Sequence, residues 1–251
     1  MSGRSKDKMN NAVKAALLEG NVELANEITA NVMVGTTMLI VFAVIILCLV
    51  LNEVNVFTVD KVTMRIATLI AFIIQLPITL INTKYVGTKK WLKWPLMICL
   101  TLVCGVMAAA LGHNVTLVMV FPMVVSTRYF DKKYTTLVAL ITAGVFTIAC
   151  FVNAQVGVLN LNMVKDSLAG VTIEDDLREA VEAAIGAKWH RPWSYVRSLY
   201  LNDFLPRCIV FLALSVSCRY VAGRGKDMIN MQKLTSEKDA RIETELSLAT
   251  N

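Results

Sequence analysis

Charge is scarce in this chain. Of its 251 residues only 18% are Asp, Glu, Lys or Arg, too few to clothe a water-soluble surface over a composition that is 56% hydrophobic. Histidine is scarcer still: His113 and His190 are the two present, which leaves a His-centred metal site or a Ser/His/Asp triad little to draw on. No GxGxxG, Walker or HExxH pattern occurs. Ionisable residues that would mark a proton or ion path are missing from the apolar stretches, apart from arginines near their ends. The six cysteines (Cys48, Cys99, Cys104, Cys150, Cys208, Cys218) all fall in apolar runs without a close CxxC pair, so they read as small packing residues rather than redox or metal groups. These absences exclude a legible active site, and the chain itself is expected to hold no cofactor or metal.

What is present is apolar length. A helix needs about 20 residues to cross the hydrocarbon core, so uncharged stretches between successive charges measure the crossings. Glu27 and Glu53 enclose 25 uncharged residues, and Arg65 and Lys84 enclose 18, with Gln75 and Pro77 among them. Trp94 to Thr127 is uncharged for 34 residues, roughly 50 Å of helix, more than one crossing needs. Gly112, His113 and Asn114 supply turn-favouring residues inside it, and Pro122 lies in its shorter second arm. The expected fold is therefore all-α: a polytopic membrane bundle of about six transmembrane helices, over 32–52, 66–83, 94–111, 115–127, 135–153 and 205–221. The last is the weakest, because Arg207 and Arg219 enclose only 11 uncharged residues and must snorkel outward. The first apolar run follows a polar segment of thirty residues and is too long for a signal h-region, so it is expected to be a retained anchor.

The net charge of +6 reports orientation here rather than nucleic-acid binding. Lys84, Lys89, Lys90 and Lys93 precede the long uncharged stretch, and Arg128, Lys132 and Lys133 follow it. Two basic loops on one side require an even number of crossings between them. Together with Arg219, Arg224 and Lys226 they predict a multi-pass plasma-membrane protein with both termini cytoplasmic. The 154–204 loop then lies outside, in keeping with its five basic and seven acidic residues.

Three polar segments flank or interrupt the bundle. Residues 1–30 carry a broken apolar stripe (Met9, Val13, Leu17, then Leu24 and Ile28) with Gly20 between its halves, which predicts an interfacial or cytoplasmic helical hairpin. In the outer loop, Thr172 caps an amphipathic helix carrying Leu177, Val181, Ala184 and Ile185. Downstream, Trp189, Trp193, Tyr195 and Tyr200 read either as an aromatic belt on a surface-lying helix or as part of an extracytoplasmic ligand site. Running from Val221 into 223–251, sevenfold spacing links Val221, Met228, Thr235, Ile242 and Ala249. Leu246 fits the companion seam, whereas Gly225, Gln232 and Asp239 do not. This predicts a weak cytoplasmic coiled coil and a homodimer through it, with Met228, Thr235, Ile242 and Leu246 as relay positions. Gln75 with Pro77, Pro122, and Ser215 with Ser217 are the polar or kinking positions left inside the membrane.

Arg241, Ile242, Glu243, Glu245, Leu246, Leu248 and Ala249 form a segment that resembles the helical entry to bacterial PPM-type serine phosphatases of the SpoIIE/RsbU class, where RIExELxLAxxIQ precedes the catalytic domain. The resemblance covers about eleven residues, 241–251. It implies a sensor region that relays an unknown small ligand or membrane stimulus to a phosphatase domain beyond Asn251, whose aspartates would bind the divalent metals. Two other readings stand beside it: the input domain of a diguanylate cyclase or histidine kinase, and a small transporter or substrate-binding membrane subunit with a midplane cavity lined by Gln75, Ser215 or Ser217.

Overall fold

The computed structural model describes residues 3–56, 59–85, 88–111, 116–156, 191 and 193–250, and every regular element among them is a helix. In chain order these are α1 (Gly3–Leu18), α2 (Val22–Glu53), α3 (Lys61–Tyr85), α4 (Lys93–Leu111), α5 (Thr116–Ser126), α6 (Lys132–Val156), α7 (Trp193–Leu199) and α8 (Leu205–Thr250). A π-helical turn over Tyr200–Phe204 joins α7 to α8.

Short polar side chains set the helix starts. The Leu24 N–H donates to Asn21 Oδ1 at 3.0 Å, the Thr63 N–H to Asp60 Oδ2 at 3.0 Å, and the Lys133 and Tyr134 N–H groups to Asp131 Oδ1 at 2.9 and 3.1 Å. Each cap satisfies an otherwise orphaned donor and stabilises its helix by about 1 kcal/mol. Gly20, at φ +68°, turns α1 back into α2 in a conformation that costs glycine nothing. The broken N-terminal stripe is thus a helical hairpin, and its second arm runs without interruption into the first long apolar helix.

Proline is placed where its missing N–H is tolerated or where the helix must adapt. Pro95 lies in the first turn of α4, where no intrahelical bond is lost. Pro77 and Pro122 sit inside α3 and α5. Pro206 cannot donate to the carbonyl of Asn202, and the widened π turn lies over that position.

Five helical stretches are long and apolar enough to cross a bilayer: Val22–Glu53, Lys61–Asn82, Lys90–Leu111, Lys132–Val156 and Tyr195–Thr235. The expected span over 115–127 corresponds to the shorter apolar helix Val118–Tyr129. The span expected at 205–221 belongs to a longer helical run that already begins at Trp193. The break at Gly112, His113 and Asn114, and the outer-loop helix from Thr172, lie outside the described residues.

At the centre stands α4, packed against α2, α3, α5 and α6. Its Leu96, Met97, Leu100, Val103, Cys104 and Met107 are all buried. By contrast α2, α3 and α8 turn large apolar residues outward, among them Leu39, Ile40, Leu47, Leu69, Ile73, Leu80, Ile209, Leu212 and Val216. Exposed apolar surface on that scale is what a lipid-facing bundle carries. Small residues bring the helices close: a Cβ at Gly35 would collide with the Asn82 carboxamide, and one at Gly105 with the Val145 side chain. All six cysteines are free thiols, buried or half-buried.

The aromatic segment before α8 is more integrated than a surface-lying helix. Tyr195, Val196 and Leu199 are buried, and α7 packs on α6. Tyr200 Oη donates to the Thr147 carbonyl at 3.1 Å, and Phe204 lies 5.2 Å from the Phe146 ring. Trp193 remains exposed.

Candidate functional site

One end of the bundle holds a cluster of interlinked polar side chains. There α2, the start of α4 and the corner between α5 and α6 meet, and both basic loops come to this same end. Lys93 Nζ lies 2.8 Å from Glu27 Oε1, with the two side chains only 21% and 14% exposed. Tyr129 Oη donates to Asn31 Oδ1 at 2.8 Å, and Asn31 Nδ2 reaches the Lys89 carbonyl at 3.4 Å. Tyr134 Oη donates to the Lys93 carbonyl at 2.7 Å, while the Lys93 ammonium sits 5.4 Å from the Tyr134 ring centroid. Edge-on contacts of Tyr134 with Trp94 (4.7 Å) and Tyr129 (5.0 Å) close the cluster. A half-enclosed ion pair flanked by aromatic rings is worth more than a surface pair because little water screens it. Glu27 Oε2 is buried and makes no hydrogen bond, so this carboxylate depends on Lys93 for its counter-charge.

The α5–α6 corner also seats α8. Phe130 adopts a left-handed backbone, φ 49°, which a bulky residue takes only where its surroundings demand it. Its ring lies against Gly225 so closely that a Cβ there would clash, and Gly223 is similarly overlain by the Lys132 side chain. Ala222, the residue just before these contacts on α8, is fully buried. Past this joint a cavity of about 290 Å³ opens between the α1–α2 elbow, the corner and α8. Lys226, Ile229, Asn230 and Lys233 line it from α8, a spacing that defines one helix face.

A second cavity of about 580 Å³ lies between α3, α4 and α6 at the opposite half of the bundle, walled by residues such as Ile66, Ile70, Leu102, Val106, Ile148 and Val152. Among the described residues Thr63 brings the one side-chain hydroxyl to that lining, and the rest of it is apolar.

The polar positions singled out in the sequence do not converge. Gln75 is buried on the α2–α3 seam, where its Nε2 donates to the Met38 carbonyl. Pro77 faces outward and Pro122 is buried. Ser215 and Ser217 bond back to the Leu212 and Ala213 carbonyls of their own helix, at 2.8 and 3.0 Å. None of them lines either cavity. On α8, Met228 and Ile242 are 72% and 60% exposed. Thr235 is exposed with its hydroxyl turned to the Met231 carbonyl, and the Leu246 side chain lies outside the described residues. The Glu27–Lys93 pair with Asn31 and the two tyrosines was not anticipated. Its one sequence signal was polar residues at the margins of apolar runs, where charge marks a boundary and does not reveal a partner 66 residues away. Among the described residues no group of three or more His, Cys, Asp or Glu side chains is placed to hold a metal ion.

No family model, curated protein or solved structure matches the chain. Function therefore rests on geometry and on the residues themselves.

Proposed function

We propose that this chain is a membrane sensor module that relays a stimulus along α8 to a cytoplasmic output domain. The observation that carries this reading is the continuity of α8, one helix from Leu205 to Thr250, whose first part packs on the bundle and whose remainder leaves it. Such a helix transmits any rotation or sliding imposed on its upper half. The joint at Gly223 and Gly225 is where the bundle grips it. Met228, Thr235 and Ile242 lie on its outer side, available to a second copy in the cytoplasm of a bacterium. The output domain would follow Asn251, and the resemblance over 241–251 favours a PPM-type phosphatase, whose divalent metals would be held there. A diguanylate cyclase or histidine kinase output would use the same relay. The transporter reading needs Gln75, Ser215 or Ser217 around a cavity, and their backbone hydrogen bonds weigh against it.

Disulfide crosslinking in native membranes tests the relay. Single cysteines placed at Met228, Thr235 and Ile242 should each give a crosslinked dimer absent from the parent chain, while cysteines at Lys226 and Lys233 should not. Equal yields at all five positions would remove the coil. In the full-length receptor, Ile242→Glu with Leu246→Glu should abolish regulation of the output while the membrane domain keeps its thermal stability; unaltered regulation would sink the relay.

A further inference from the structure

We infer that the 290 Å³ cavity between the α1–α2 elbow, the corner and α8 is a binding site for a phosphate-bearing group that fastens α8 to the elbow. The cavity is close to the lower size of small-molecule sites, about 300 Å³, and its walls come from three separate elements. From α8, Lys226 and Lys233 stand two turns apart, about 10 Å along the helix axis, with Asn230 between them. From the elbow come Glu23 and Asn26, and from the corner the buried Tyr129 beside Phe130.

Two ammonium groups against one carboxylate leave a net positive lining, which favours an anion. The flexible lysine stems can close on one phosphate from both ends. Lys233 lies 3.9 Å from Glu237, at the margin of ion-pair range, so that contact holds it weakly. Glu23 and Asn26 on the opposite wall are acceptors suited to an alcohol hydroxyl on the carbon chain that bears the phosphate. The shared chemistry is a phosphate ester with a neighbouring hydroxyl, borne either by a soluble molecule or by a glycerol-type lipid headgroup. A group held by α8 on one side and by the elbow on the other couples two elements that pack only lightly on each other. Binding stands on the cavity alone; its effect on signalling rests on the relay reading, so the two can fail separately.

The test uses the whole chain in nanodiscs. In neutral phosphatidylcholine discs, sn-glycerol 3-phosphate is titrated while thermal unfolding is followed; in a second arm phosphatidylglycerol replaces part of the lipid and no soluble ligand is added. A saturable rise in Tm is expected in at least one arm. A response in the first assigns a soluble ester, and a response confined to the second assigns the headgroup. Lys226→Ala with Lys233→Ala should abolish the rise, and Glu23→Gln should tighten binding several-fold by removing the like charge. If the double variant does not fold, Glu23→Gln alone decides, with unchanged affinity overturning the site. No rise in either arm, or a rise that persists in a folded double variant, also overturns it.

Discussion

The two helices α4 and α8 show how one apolar composition can serve opposite ends. In its most apolar stretch α4 has 61% of its residues buried within the protein, whereas the run containing α8 has 11%. The first packs against four helices, α2, α3, α5 and α6. The second touches the bundle along a narrow strip and is gripped at the corner by Gly223 and Gly225. Without a hydrophobic driving force inside lipid, packing and hydrogen bonds decide which helices hold together. A helix with little packing is therefore free to shift, and one with much packing is the frame it shifts against.

The contrast breaks most readily at the frame. Lys93→Ala leaves Glu27 buried without its counter-charge and should cost about 3 kcal/mol, read as lowered resistance to unfolding in mixed detergent micelles. Removing Glu27 as well should recover part of that loss, since no orphaned charge then remains. Gly105→Leu forces Val145 out of place between α4 and α6 and should cost about 2 kcal/mol in the same assay. Gly225→Val acts on α8 instead. It should cost only about 1 kcal/mol, yet a spin label at Asp227→Cys should gain mobility, because the Phe130 ring can no longer close on α8. A label that keeps its motion would mean that the corner does not hold the helix. The smallest effect is expected at Gln75→Leu, where loss of one interhelical hydrogen bond should cost about 0.6 kcal/mol; a loss several times larger would mark the α2–α3 seam as part of the frame.

Much of the frame was legible in sequence because it is written locally. Uncharged runs gave the long helices, Gly20 marked the break between the two N-terminal arms, and the two basic loops share an end as their charge implied. The candidate site was hardly legible. Glu27 and Lys93 looked like flanking charges, since hydrophobic periodicity says which face of a helix is buried but not which residue of another helix it meets. Gly225 looked like a flaw in the heptad seam. In the structure it faces Phe130, and its lack of a side chain is what lets the corner approach. The aromatic run before α8 looked like a headgroup belt because its composition is the same whether the rings meet lipid or α6.

The π turn at Tyr200–Phe204 also has a bearing on α8. Each residue of an α-helix advances the chain by about 1.5 Å and 100°, and a π turn holds one residue more than an α turn. Expelling that residue toward α7 would leave the helix above unmoved while turning everything below Leu205 by about a quarter revolution, enough to carry the face bearing Lys226 and Lys233 away from the elbow and present another in its place. Any such change just ahead of Pro206 would turn α8 by an amount set by helix geometry alone.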